Sequence, residues 1–175
     1  MTTAPNPLVL ARPLIRVLIV LNTLYALAIG GLLVATLVSP TFTFEALGGG
    51  KANSVWELRN SLRAIVVVGL LAAYVTYRVL RELLAIVDTV RDGDPFVAGN
   101  ARRLQAIAWW VLAGEGLRLV VGAIAWSAAR AAPALKMDID VGFSFAPWLA
   151  VLLLFVLARV FEHGARMRAD LEGTV

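Results

Sequence analysis

The sequence predicts an all-α transmembrane protein, a single domain folded as a four-helix bundle with both termini in the cytoplasm. Three observations carry that prediction. Of 175 residues, 60% are hydrophobic and only 16% charged, against about half and about a quarter in soluble domains. Residues 17–44 contain no Asp, Glu, Lys, Arg or His, a run longer than the roughly 20 apolar residues that cross a bilayer. Basic residues also gather unevenly at the ends of the apolar runs, which sets an orientation.

The first span covers about residues 14–38 and is closed by Ser39 and Pro40. Arg12 and Arg16 resemble the basic flank of a signal peptide. A signal core is only about 7–15 residues long, however, so this longer run reads as a retained helix. The second span, about 61–80, holds "AIVVVGLLAAYVTY" between Arg63 and Arg78. The third, about 104–128, contains "AWWVLAGEGLRLVVGAIAW". Its Trp109 and Trp126 are 17 residues apart, which is about 25 Å at 1.5 Å per residue. That nearly matches the roughly 30 Å hydrocarbon layer, whose edges favour tryptophan. The fourth span, about 143–161, carries Pro147 in its first turn, where a missing N–H is tolerated.

The N-terminal segment, the 78–103 connection and the C-terminal segment hold ten arginines, and the other two connections with their edges hold five basic residues. The larger group marks the cytoplasmic side. The expected location is therefore a bacterial cytoplasmic (inner) membrane, with Arg118 left inside the third span. The net charge of +4 then reflects topology and anionic lipid, and no direct nucleic-acid binding is expected.

The cytoplasmic connection has structure of its own. In "RVLRELLAIVDTVRDGDPF", Leu80, Leu83, Leu84, Val87 and Val90 recur at helical spacing with charges between them, so the second span should continue as an amphipathic helix. "DGDP" then breaks it, with Gly93 at the helix C′ position, Asp94 as an N-cap and Pro95 opening the next helix. On the other side, "TFTFE" (41–45) and "KMDIDVGFSF" (136–145) alternate polar and apolar residues. They form either a short extracytoplasmic β-ribbon or two extended loops, and "EALGGGKANS" between spans reads as a turn-rich stretch.

Glu115 and Arg118 are three residues apart, hence neighbours on one helix face. By rise they lie about 9 Å from Trp109 and about 12 Å from Trp126, deep in the hydrocarbon layer. An unpaired charge there costs roughly 2.5–3.5 kcal/mol on insertion scales. The pair should therefore face other helices or a wet cavity, either as a functional polar site or as a clasp in which Arg118 reaches Asn22 on the first span. Asn22 and Thr23 otherwise read as hydrogen-bonding glue between helices. Arg63 is expected to snorkel outward.

In the tail "RVFEHGARMRADLEGTV", Glu162 and Arg166 form an i,i+4 pair. The tail's arginines anchor on anionic lipid, or the tail joins the connection as a docking surface. That surface would comprise Asp94, Pro95, Phe96, Asn100, Arg102, Arg103, Glu162 and Arg166. His163 is a lone interfacial histidine, which reads as a half-solvated side chain ahead of a sensor.

The chemistry the chain lacks narrows the function. There is no cysteine and one histidine, which excludes disulfide chemistry and the usual zinc sites. "GGGK" lacks P-loop spacing and its following Ser or Thr, and no serine elbow or paired carboxylates appear. The expectation is a protein without cofactor, metal site or enzymatic activity.

"GDPFVAGNARRLQAIAWW" together with "LLLFVLARVFEHGARMRADLEGTV" resembles a bacterial four-span membrane family known as domain of unknown function 2975. The resemblance implies four helices. Some members are similar to membrane proteins encoded beside small helix-turn-helix regulators, which implies a signalling role. The expectation is a non-catalytic membrane regulator or sensor, coupling an outer or intramembrane signal to a cytoplasmic helix-turn-helix partner. The alternatives are an oligomeric transport or channel protein with Glu115 and Arg118 lining its path, and a lipid or small-molecule binder. A homo-oligomer is required for a path, because four spans alone rarely enclose a pore.

Overall fold

A computed structural model describes residues 7–38, 52–93, 95–131 and 144–172. These residues form four helices: α1 (Pro7–Val38), α2 (Ala52–Arg91), α3 (Ala98–Ala131) and α4 (Ala146–Glu172). All four are long and apolar enough to cross a membrane, and no strand occurs among the described residues. The 41–45 segment and most of 136–145 lie outside the described residues; Ser144 and Phe145 lead directly into α4.

The helices run further than their apolar cores. Beyond the second span the helix continues to Arg91, as the recurrence of Leu83, Leu84, Val87 and Val90 requires. Its start is earlier than expected: Ala52–Ser54, read from sequence as part of a turn, are already helical. Pro13 lies inside α1 rather than before it. A proline so near the helix start removes one intrahelical bond and still leaves the apolar run intact. Pro147 falls in the first turn of α4, and Leu149 N–H bonds back to the Phe145 carbonyl at 3.0 Å.

The break after α2 is a left-handed glycine cap. Gly93 has φ +91°, and its N–H donates to the Val90 carbonyl at 3.2 Å, the C′-to-C2 bond of a Schellman-type ending. The next helix begins at Ala98, not at Pro95. Pro95 and Phe96 instead form a turn, because the Pro95 carbonyl is taken by a side chain, as described below. Asp94 lies outside the described residues.

The chain divides into two compact units. The first joins residues 1–22, 75–113 and 144–175, and the second joins 23–74 and 114–143. In the first unit the core is Ile15, Val75, Val87, Ala101, Leu104, Ile107, Ala108, Val151 and Ala158. Small residues at 101, 108 and 158 let the α3 and α4 backbones approach closely. In the second unit Gly30 lies against Leu70 and Gly69 against Ile29, with a Cβ at Gly69 meeting Ile29 Cδ1 at 3.4 Å. These glycines sit at the α1–α2 contact.

Long apolar side chains cover the outside. Val17, Leu21, Leu24, Leu27 and Val34 on α1 are exposed, as are Leu149, Leu152, Leu153, Val156 and Val160 on α4. Exposed apolar surface this extensive is not tolerated by a protein in water. Lipid is the solvent that suits it, and the chain is a multi-pass membrane protein.

Candidate functional site

Among the described residues each unit buries polar groups, and the arrangement around Asn100 is built differently from that around Glu115. In the first unit the centre is Asn100, 0% exposed. Its Nδ2 donates to Thr89 Oγ1 at 2.7 Å and to the Pro95 carbonyl at 3.0 Å. Its Oδ1 accepts from Arg103 Nη1 at 2.8 Å. The Thr89 hydroxyl has one proton, which it donates to the Ile86 carbonyl at 2.8 Å while accepting from Asn100. One amide thus ties the end of α2, the 92–97 turn and the start of α3. A buried amide is stable only with its donors and acceptors used, and here they are.

Phe96 projects from the same turn onto α4. Its ring stacks at a tilt on Phe161, centroids 5.3 Å apart, and passes directly over Gly164. A Cβ built on Gly164 would stand 2.8 Å from Phe96 Cδ1, so only glycine leaves room for the ring there. Pro95, Phe96, Asn100 and Arg103 are therefore spent on holding the turn.

Arg102 behaves differently. It is exposed and lines a groove of about 360 Å³ with Glu162 and Arg166, floored by Ala98, Ala101, Ala165 and Ala169. Glu162 accepts from Arg159 Nη1 at 2.9 Å and also pairs with Arg166, so the expected i,i+4 pair is present with a second arginine added. Of the eight residues proposed as a docking surface, the structure brings Arg102, Glu162 and Arg166 together at the groove. Four others form its rigid support, and Asp94 is outside the described residues. His163 Nδ1 donates to the Arg159 carbonyl at 3.1 Å and remains exposed.

Further ties brace this unit. Arg12 pairs with Asp88 at 2.9 Å, joining α1 to α2. Arg78 lies 5.2 Å over the Trp110 ring and pairs with Glu82 at 3.6 Å. Trp109 meets Phe155 edge to face at 5.5 Å.

The second unit holds the ion pair of α3. Arg118 Nε donates to both Glu115 carboxylate oxygens at 3.0 Å, and Nη2 donates to Oε1 at 2.7 Å. Glu115 is 6% exposed, while the Arg118 side chain is 41% exposed. The carboxylate is sheltered and the guanidinium forms part of a groove wall. That groove, about 380 Å³, is otherwise apolar apart from Tyr25. Asn22 falls in the first unit.

Arg63 has a specific acceptor: its Nη2 donates to the Thr36 carbonyl, in the last turn of α1. That carbonyl has no intrahelical partner, and the helix C-terminus attracts a cation. Thr36 itself is 1% exposed, its hydroxyl returned to the Leu33 carbonyl at 2.8 Å. Sequence reasoning missed Thr36, Thr89 and Gly164. For Gly164 a signal existed, since a glycine inside a helix often marks a close neighbour. Neither threonine carried one.

No group of three or more His, Cys, Asp or Glu that could hold a metal occurs among the described residues. Neither a curated protein nor a solved structure matches the chain. Residues 24–175 match the family described as Protein of unknown function (DUF2975), a span that contains the Gly93 cap, the Asn100 network, the Phe96–Gly164 contact and the Glu115–Arg118 pair. The chain belongs to that family.

Proposed function

We propose that this protein is a non-catalytic regulator or sensor of the bacterial cytoplasmic membrane, which transmits an outer or intramembrane signal to a soluble cytoplasmic partner. Four crossings return the chain to its starting side, and the ten-to-five distribution of basic residues makes that side the cytoplasm. The Asn100 network and the Arg102 groove then lie together on the cytoplasmic face.

The observation that carries the reading is the set of side-chain contacts that hold the turn before α3. A connection that merely linked two spans would need no buried amide and no ring seated on a glycine. Here both hold the 92–97 turn, beside a groove whose rim carries Arg102 and Arg166. Fixed backbone next to exposed guanidinium groups suits recognition of an acidic surface. A small helix-turn-helix regulator encoded next to this protein is the partner we favour.

The test is affinity capture of that regulator by the detergent-solubilised protein. Wild type should retain it, and Arg102→Glu with Arg166→Glu should reduce retention at least ten-fold, with an unchanged elution profile. Equal retention by both forms would refute the assignment of the docking face.

A further inference from the structure

The regulator reading leaves the α1–α2–α3 groove of the second unit unused. Its walls include Tyr25, Ile29, Val66, Gly69, Arg118 and Val121. At about 380 Å³ it falls within the roughly 300–1,000 Å³ of small-molecule pockets, which are mostly apolar with a few polar groups fixing orientation. We propose that this groove binds a quinone, a neutral hydrophobe whose ring carbonyl is oriented by Arg118.

Three features select that ligand. The first is charge. Glu115 neutralises Arg118 through bonds to both carboxylate oxygens, so the site has no net charge. An anionic ligand would bring an uncompensated charge into hydrocarbon, which is costly; a neutral acceptor would not. The second is polarity. The guanidinium is the charged part of the groove surface, with 41% of its side chain exposed, and it can only donate. A carbonyl oxygen is the matching group, and the Tyr25 phenol on the opposite helix supplies a second polar contact for a molecule with two carbonyls. The third is depth. Arg118 lies eight residues, about 12 Å, along the helix from the interfacial Trp126. Ester carbonyls of phospholipids stay near the headgroups, whereas a quinone moves freely within the hydrocarbon layer.

Gly69 lies beside Ile29 at the α1–α2 contact, where a Cβ would stand 3.4 Å from Cδ1, and both residues line the groove. Glu115 is buried and engaged by Arg118 on the same helix, and Arg118 lines the groove.

The experiment uses the full chain in phosphatidylcholine nanodiscs, titrated with decylubiquinone and read by quenching of tryptophan fluorescence. Wild type should show saturable quenching. Ala72→Phe and Val121→Phe, which fill the groove and keep the ion pair, should each weaken it at least ten-fold. The double substitution Glu115→Gln with Arg118→Gln, which removes the guanidinium without stranding a carboxylate, should weaken it about ten-fold. Native mass spectrometry of protein extracted from membranes should show a bound quinone in wild type and none in Ala72→Phe. Equal quenching of wild type and both groove-filling variants would overturn the proposal. So would a phospholipid, rather than a quinone, as the adduct lost in Ala72→Phe. Neither outcome bears on the cytoplasmic docking face, which is assayed separately.

Discussion

The two buried polar sites solve the same physical problem in opposite ways. In the first unit the buried group is a neutral amide, and its partners come from three places: Thr89 on α2, Pro95 in the turn and Arg103 on α3. In the second unit the buried group is a charged carboxylate, and its partner sits one turn away on the same helix. Asn100 therefore specifies tertiary structure, because its bonds exist only when separate segments assemble. The Glu115–Arg118 bonds join residues one turn apart on α3 and can form before any packing. One is a device for fixing a turn; the other lets a helix carry a guanidinium into lipid. This contrast is why we place partner docking at the first site and a lipid-soluble ligand at the second.

Breaking one half of the ion pair should have the largest effect. Arg118→Leu strands a sheltered carboxylate, and the thermal midpoint in detergent should fall by roughly 10 °C. Adding Glu115→Leu to that variant should restore most of the loss, since replacing both charges with apolar groups is often neutral or stabilising. Failure of the double variant to recover would show that the pair has tertiary partners that matter more than its internal bonds.

The Asn100 network should respond the other way. Asn100→Leu leaves the Pro95 carbonyl and the Thr89 hydroxyl without their partner, a loss of about 2 kcal/mol. No single second substitution should rescue it, because the orphaned groups lie on different segments. Hydrogen exchange of the 92–97 amides should rise in this variant and stay unchanged in the Glu115→Leu/Arg118→Leu protein. If both variants loosen the turn equally, the two sites are not independent.

The smallest effect belongs to Arg12 and Asp88. Both side chains are more than one-third exposed, and a solvent-accessible pair contributes at most about 1 kcal/mol, less in salt. Arg12→Ala should lower the thermal midpoint by no more than a few degrees, and 0.5 M NaCl should remove the difference.

The four spans were legible in the sequence because a bilayer imposes a length and a composition that a soluble fold does not. Span two's helical extension and the Gly93 cap were legible for similarly local reasons: helical spacing, and a turn conformation that favours glycine. The ion pair was legible from the three-residue spacing alone. What sequence could not supply was any contact whose partners are far apart. Asn100 looked like one more polar residue in a docking surface until Thr89 was found beside it. Phe96 looked available to a partner, yet it rests on Gly164. For Arg63 the sequence offered a direction along the helix but not the Thr36 carbonyl that accepts from it. Helix starts were misplaced at Ala52 and Ala98 because composition marks where a helix is apolar, not where its backbone begins to turn.

The central claim is that the alanine-floored groove beside Arg102 is a cytoplasmic docking face. Its most direct test is in-cell photocrosslinking from Gln105, which lines that groove, against Leu149 on the exposed face of α4. The account predicts a covalent adduct with the proposed helix-turn-helix partner from position 105 and none from position 149. No regulator adduct at 105, or equal adducts from both positions, would contradict it.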